Sequence, residues 1–118
     1  MNAETSLKLN NDFRRVYARG KHAVSSRVVV YCRKNRLSRN RVGFTVSKKL
    51  GNAVTRNRVR RRLREIVRLN AGQMKQGYDL ILVARTRAVD AEYRKLEADV
   101  LRCCDELRLL QKEGTDAE

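Results

Sequence analysis

An α+β fold, with helices backing a mixed sheet, is what this sequence predicts, and two patterns predict it. Segments with helical and with strand-like apolar periodicity follow one another as helix, two or three strands, helix, strand, helix. Each strand segment also offers one continuous apolar face on even positions. That face is Val28, Val30 and Cys32, then Val42, Phe44 and Val46, then Leu80, Leu82 and Ala84. At 118 residues and 42% hydrophobic content, the chain fits one domain with a modest core. The domain is expected over 1–112, followed by an acidic, disordered tail at 113–118.

The elements follow in order. A first helix is predicted from Asn11 to about Arg19. Asn10 or Asn11 caps it, Leu9, Phe13, Val16 and Tyr17 form its apolar stripe, and Gly20 ends it in the left-handed conformation. Ser26 to Arg33 is rich in β-branched residues and reads as a strand, with a short partner at 21–24. A polar turn at 36–40 leads into an alternating strand, Arg41 to Ser47. Gly51 and Asn52 break the chain before a long helix, about Ala53 to Asn70, whose Val59, Leu63, Ile66 and Val67 recur on one face. Gly72 and Gly77 bracket a loop, and Tyr78 to Arg85 is the next strand. Asp90 is the expected cap of a last helix reaching about Gln111. Its inward residues are Tyr93, Leu96, Val100, Cys103 or Cys104, and Leu107.

Charge is the first functional signal. The chain carries 28 Lys plus Arg against 13 Asp plus Glu, a net +15. Residues 1–88 hold 23 of the cations and only Glu4, Asp12, Glu65 and Asp79 as acids, whereas 89–118 is net acidic. Arginine outnumbers lysine 20 to 8, which suits bidentate phosphate binding. A polyanion is the expected partner, nucleic acid foremost. No apolar run approaches a membrane span, no signal-peptide core opens the chain, and no basic helix has a bulky insertion face. A soluble, cytoplasmic protein without membrane contact is expected. Cys32, Cys103 and Cys104 form no CxxC pair and His22 stands alone, so neither a zinc site nor a disulfide framework is expected.

Two surfaces stand out. The helix segment from Thr55 to Glu65 and on to Arg68 holds seven arginines, with Glu65 as its one acid. At 100° per residue, Arg60, Arg61, Arg64 and Arg68 span a sector of roughly 100°, with Arg58 and Arg62 on the opposite flank. Like charges at i, i+4 cost stability, and an anion relieves that cost. The helix N-terminus beside Arg56 and Asn57 adds free amides. Charge alone is compatible with DNA, but no helix-turn-helix or zipper pattern accompanies it. The odd face of the sheet is the second surface. It mixes Arg27, Arg33, Arg41 and Arg85 with Val29, Tyr31, Ile81 and Val83, which suits stacking and phosphate contact with a single strand. The competing reading has the first helix covering that face, with Tyr31 packed on Phe13 and Tyr17.

Residues 41–68, RVGFTVSKKLGNAVTRNRVRRRLREIVR, together with NDFRRVYARG, the strand around Tyr31 and YDLILVAR, resemble the protein-subunit family of bacterial ribonuclease P. The likeness spans about residues 7–110. It implies a two-layer α/β sandwich of order αβββαβα, like the second domain of a small-subunit ribosomal protein. Its βαβ crossover would be left-handed, against the strong right-handed rule. The resemblance further implies that the catalyst is a large RNA. That RNA, with bound Mg2+, hydrolyses the phosphodiester joining the 5′ leader to precursor tRNA. The protein would contribute no catalytic residue and hold no metal by itself; it would bind both RNAs and raise substrate and metal affinity.

By matching positions, Arg56, Asn57, Arg58, Arg60, Arg61 and Arg64 would face the catalytic RNA, with Lys48 and Lys49 extending that surface and Arg68 completing it. Phe13, Tyr17 and Tyr31 would line the leader cleft, bordered by Ser47 and Arg85. The acids agree with this division of labour, because Asp12, Glu65 and Asp79 are scattered and His22 is single. A ribosomal or assembly protein is a second reading of the same basic α/β pattern, and an enzyme acting without RNA is a third.

Overall fold

The computed structural model describes residues 5–6 and 10–111. Five strands, β1 (Thr5–Ser6), β2 (Lys21–Val24), β3 (Val28–Lys34), β4 (Arg41–Thr45) and β5 (Tyr78–Ala84), form one sheet in the order β1-β4-β5-β3-β2. The helices are α1 (Asn10–Arg19), α2 (Ala53–Asn70) and α3 (Tyr93–Glu106). β4 runs parallel to β5 and to β1, while β3 is antiparallel to both β5 and β2. The αβββαβα order is therefore present, preceded by a two-residue edge strand.

The hand of the β4–α2–β5 crossover follows from hydrogen-bond direction. Arg85 N donates to Arg27 O and Asn35 N to Gly77 O, so odd residues of β5 turn their amides toward β3. Even residues of β5 then turn theirs toward β4, and their side chains join the α2–α3 layer. In an upward strand of L-residues, a side chain pointing at the viewer has its own N–H and C=O to the right. Seen from the helix layer, β4 thus lies to the right of β5, and the crossover moves left. It is left-handed, the rare sense.

The even face is the core. Val28, Val30, Cys32, Val42, Val46, Leu80, Leu82 and Ala84 are buried against Val59, Leu63 and Ile66 of α2 and Leu96, Val100, Cys103 and Cys104 of α3. The three thiols are free and buried, and desolvation pushes Cys104 up to about 12, so it stays protonated. The odd face carries a smaller cluster, in which Val16 of α1 and Ile81 are fully buried and Phe13, Tyr31 and Val83 partly so. β5 is thus covered on both sides at Ile81.

Several boundaries differ from expectation. α1 starts at Asn10, so both asparagines sit inside its first turn rather than before it; Leu9 and the 113–118 tail lie outside the described residues. Gly20 is not left-handed; a Cβ there would collide with the carbonyl oxygens of Cys32 and Val16, so close approach requires the glycine. α3 begins at Tyr93 with Glu92 in the capping position, not Asp90, and no side chain caps it. It also ends at Glu106, short of Gln111, because Arg108 turns the chain at φ 61°. Leu109 is then buried and accepts from Lys75 N at 2.7 Å, which secures the turned segment.

Arg41 connects the two layers of the odd face. Its Nε donates to Asp79 Oδ1 at 2.8 Å and its Nη2 to Asp79 Oδ2 at 2.7 Å, while Nη1 reaches Asp12 of α1 at 3.4 Å. We expect Asp79→Ala to lose about 2 kcal/mol in denaturant unfolding. This is below the ~3–5 kcal/mol of a fully buried pair, because the Arg41 side chain keeps 26% exposure. A loss under ~0.5 kcal/mol would mean that the pair acts as an ordinary surface contact.

Candidate nucleic-acid interface

The arginine helix is built by a well-defined start. Gly51, at φ 140°, follows the short 3-10 helix Lys48–Leu50, and Asn52 caps α2 by accepting from Thr55 N at 2.9 Å. Gly51 O accepts from Arg56 Nε at 3.1 Å. The turn therefore places Lys48 and Lys49, both exposed, beside the first turn of α2. Val59, Leu63, Ile66 and Val67 face the sheet as their spacing predicts, which fixes where every arginine points.

The seven arginines have separate tasks. Arg58 donates to Val89 O at 3.4 Å and Arg62 to Ala91 O at 2.8 Å, so that flank faces the segment leading into α3. Arg60 donates to Asn57 Oδ1 at 2.9 Å, and Arg64 lies over the Phe44 ring, 5.5 Å from its centroid. Arg61 is exposed and makes no ion pair among the described residues. Carbonyls, an amide and a ring orient these guanidiniums without cancelling their charge. Arg68 is different. Glu65 takes it in a two-point contact at 2.7 and 3.3 Å, lowering its own pKa through that bond. The one acid of this helix thus pairs with Arg68, since i, i+3 spacing puts the two side chains together.

The odd face carries the second surface. α1 crosses it and covers Ile81, as the competing reading held, but does not close it. Phe13, Tyr17 and Tyr31 converge, with Tyr17 edge-on to Tyr31 at 4.8 Å and Phe13 6.4 Å from Tyr17. Tyr17 remains 39% exposed, and its hydroxyl shares a 2.9 Å hydrogen bond with Thr45 Oγ1 on β4. Half-buried Val29, Tyr31 and Val83 complete an aromatic-lined trough.

Ser47 and Arg85 lie at the strand ends bordering this face. Arg85 is committed to bracing the β2–β3 turn, donating to Ser25 O at 2.7 Å. Arg27, read as part of the odd face, instead reaches Asp99 of α3 at 3.0 Å. The spacing reading treated His22 only as a lone ligand and missed its place here. It stacks on Tyr31 at 5.2 Å with ring planes 29° apart, because the β2–β3 register sets the two residues opposite each other. The two-residue Ser26-Arg27 loop, closed by Ser25 N donating to Val28 O at 2.9 Å, sets that register.

Neither surface offers metal chemistry of its own. Among the described residues no three His, Cys, Asp or Glu converge, and buried Asp12, Asp79 and Asp99 each face arginines. Asn57 has its carbonyl oxygen occupied by Arg60. The described side chains on these surfaces do not assemble a magnesium site.

Comparison with known proteins points to one family. The Ribonuclease P family model matches residues 1–108. The ribonuclease P protein component of Natranaerobius thermophilus is 48% identical over 112 residues, covering 95% of this chain and 97% of that one. Among solved structures, the RNase P protein of Staphylococcus aureus superposes with a TM-score of 0.83 at 29% identity, over 94% of this chain and all of that one. The protein from Thermotoga maritima gives 0.76 at 30% identity, over 82% and 92%. This chain therefore belongs to the ribonuclease P protein family.

Proposed function

We propose that the chain is the RNA-gripping subunit of a ribonuclease P, with α2 on the catalytic RNA and the trough on the 5′ leader of precursor tRNA. The observation that carries this reading is the separation of the two surfaces. α2 presents Arg56, Asn57, Arg58, Arg60, Arg61 and Arg64, extended by Lys48 and Lys49, and their orienting partners are uncharged. Phosphates supply the missing countercharge, and displaced counterions drive the association. Arg68, already paired with Glu65, contributes less. In the trough, Phe13, Tyr17 and Tyr31 offer rings to unpaired bases, whose π-faces stack without regard to sequence. Ser47 and Arg85 border the path of the strand.

Catalysis belongs to the RNA in this reading. Mg2+ is held mainly by RNA phosphates, and the protein raises metal affinity by fixing the RNA around it rather than by ligation. The protein raises substrate affinity through the leader and works in the cytoplasm. Among the described residues no helix is long and apolar enough to cross a membrane. No DNA partner is required.

Three measurements test the reading. Precursor tRNA at low Mg2+ is expected to be cut by protein and catalytic RNA together, and by neither alone; cleavage by purified protein would move catalysis onto the chain. Arg60→Ala with Arg64→Ala is expected to weaken assembly and flatten the log–log salt slope by up to about 2. Tyr17→Ala or Tyr31→Ala is expected to lose ~1–3 kcal/mol of affinity for leader-bearing tRNA, with leaderless tRNA unaffected. Equal losses on both substrates would remove the leader from the trough.

A further inference from the structure

A second cationic groove lies at the other end of the sheet. It has a volume of about 430 Å3 and opens to solvent between the end of α1, the β3–β5 pair and the segment after α3. Six cations line it: Arg19, Lys21, Arg33, Lys34, Lys75 and Arg108. They come from five separate segments of the chain, so helical or strand periodicity did not assemble them. Tyr78 and Leu107 give it an apolar wall, with Cys32 between.

Three features bear on what this cluster could hold. None of the six cations makes an ion pair among the described residues, although Arg41, Arg27 and Arg68 all do. The acids nearest in sequence are already placed elsewhere or on a separate turn. Asp79 is held by Arg41, and Asp105 and Glu106 lie on the last turn of α3 before Arg108. The groove's shape also rests on two special backbone positions. Gly20 lets α1 meet β3 without a Cβ clash, and Arg108 sits at φ 61°, an uncommon conformation for arginine.

We propose that this groove binds a single-stranded segment of RNA backbone, with a base against Tyr78 and phosphates on the surrounding cations. Like charges gathered without countercharge favour a polyanion, and the half-buried Tyr78 ring beside them offers its open part to one that carries bases. The groove is remote from the Lys48–Arg56 turn. β4 runs from Arg41 at the groove end to Thr45 at the α2 end, and the 18 residues of α2 return over about 27 Å. The chain would then hold RNA at both ends of the sheet. This inference rests on the RNA-binding reading of α2, and the segment belongs either to the catalytic RNA or to precursor tRNA.

The test uses the full chain, titrated separately with catalytic RNA and with precursor tRNA over a salt series. Lys34 and Lys75 are both exposed and have no side-chain partner among the described residues, so Lys34→Ala with Lys75→Ala leaves the core intact. The double variant is expected to lower the log–log salt slope by about 1.4–1.8 for whichever RNA fills the groove. Lys34→Arg with Lys75→Arg is expected to keep the slope, and equal loss in that pair would overturn the electrostatic account. An unchanged slope for both RNAs, while Arg60→Ala with Arg64→Ala still flattens it, overturns the groove and leaves α2 standing. If neither pair alters the slope, the RNA-binding reading falls with it.

Discussion

Arg41 lies between two carboxylates, Asp79 on the neighbouring strand and Asp12 on α1, and the placement of α1 over the sheet depends on it. An isolated helix of ten residues is marginal in water, so tertiary contacts must hold it. Val16 on Ile81 supplies the apolar contact, and the guanidinium fixes the end near Asp12. With α1 held there, Tyr17 reaches Thr45 and its ring meets Tyr31, which creates the trough instead of a closed second core. A longer or more apolar α1 would have buried more of the odd face, Tyr17 included.

Charge is divided by the same logic. Arg27, Arg41 and Arg68 are paired with acids inside the protein. Most α2 arginines bind only neutral acceptors or a ring, and the groove cations bind no acid among the described residues. Neutral partners hold a guanidinium in position and leave its charge for the ligand. The repulsion that results costs the free protein stability, and a bound polyanion would relieve it. A surface with orientation but no countercharge differs physically from an arbitrary solvated basic face.

The left-handed crossover shows where local patterning stops. Strand alternation tells which side chains face the helices, but hand depends on which neighbour a strand's amides address. Only the pairing of β5 with β3 on its odd amides and β4 on its even ones settles that. The resemblance to ribonuclease P proteins implied the hand; the alternation of Val42, Phe44 and Val46 did not contain it. Similarly, Gly20 follows the end of α1 as its position predicts, yet what requires a glycine there is the close approach of the Cys32 carbonyl and not a left-handed turn.

By itself, the sequence determined the elements, the core face and the basic helix, because these depend on periodicities of two and 3.6 residues that neighbouring positions carry. It placed α2 at 53–70 and gave its buried stripe residue by residue. Tertiary structure decided which arginines remain charged toward solvent, that His22 stacks on Tyr31, and that six dispersed cations share one groove. Those facts require strand register and helix docking, which bring together residues tens of positions apart. No local repeat encodes such distances, since burial and electrostatic pairing are set only once the layers close.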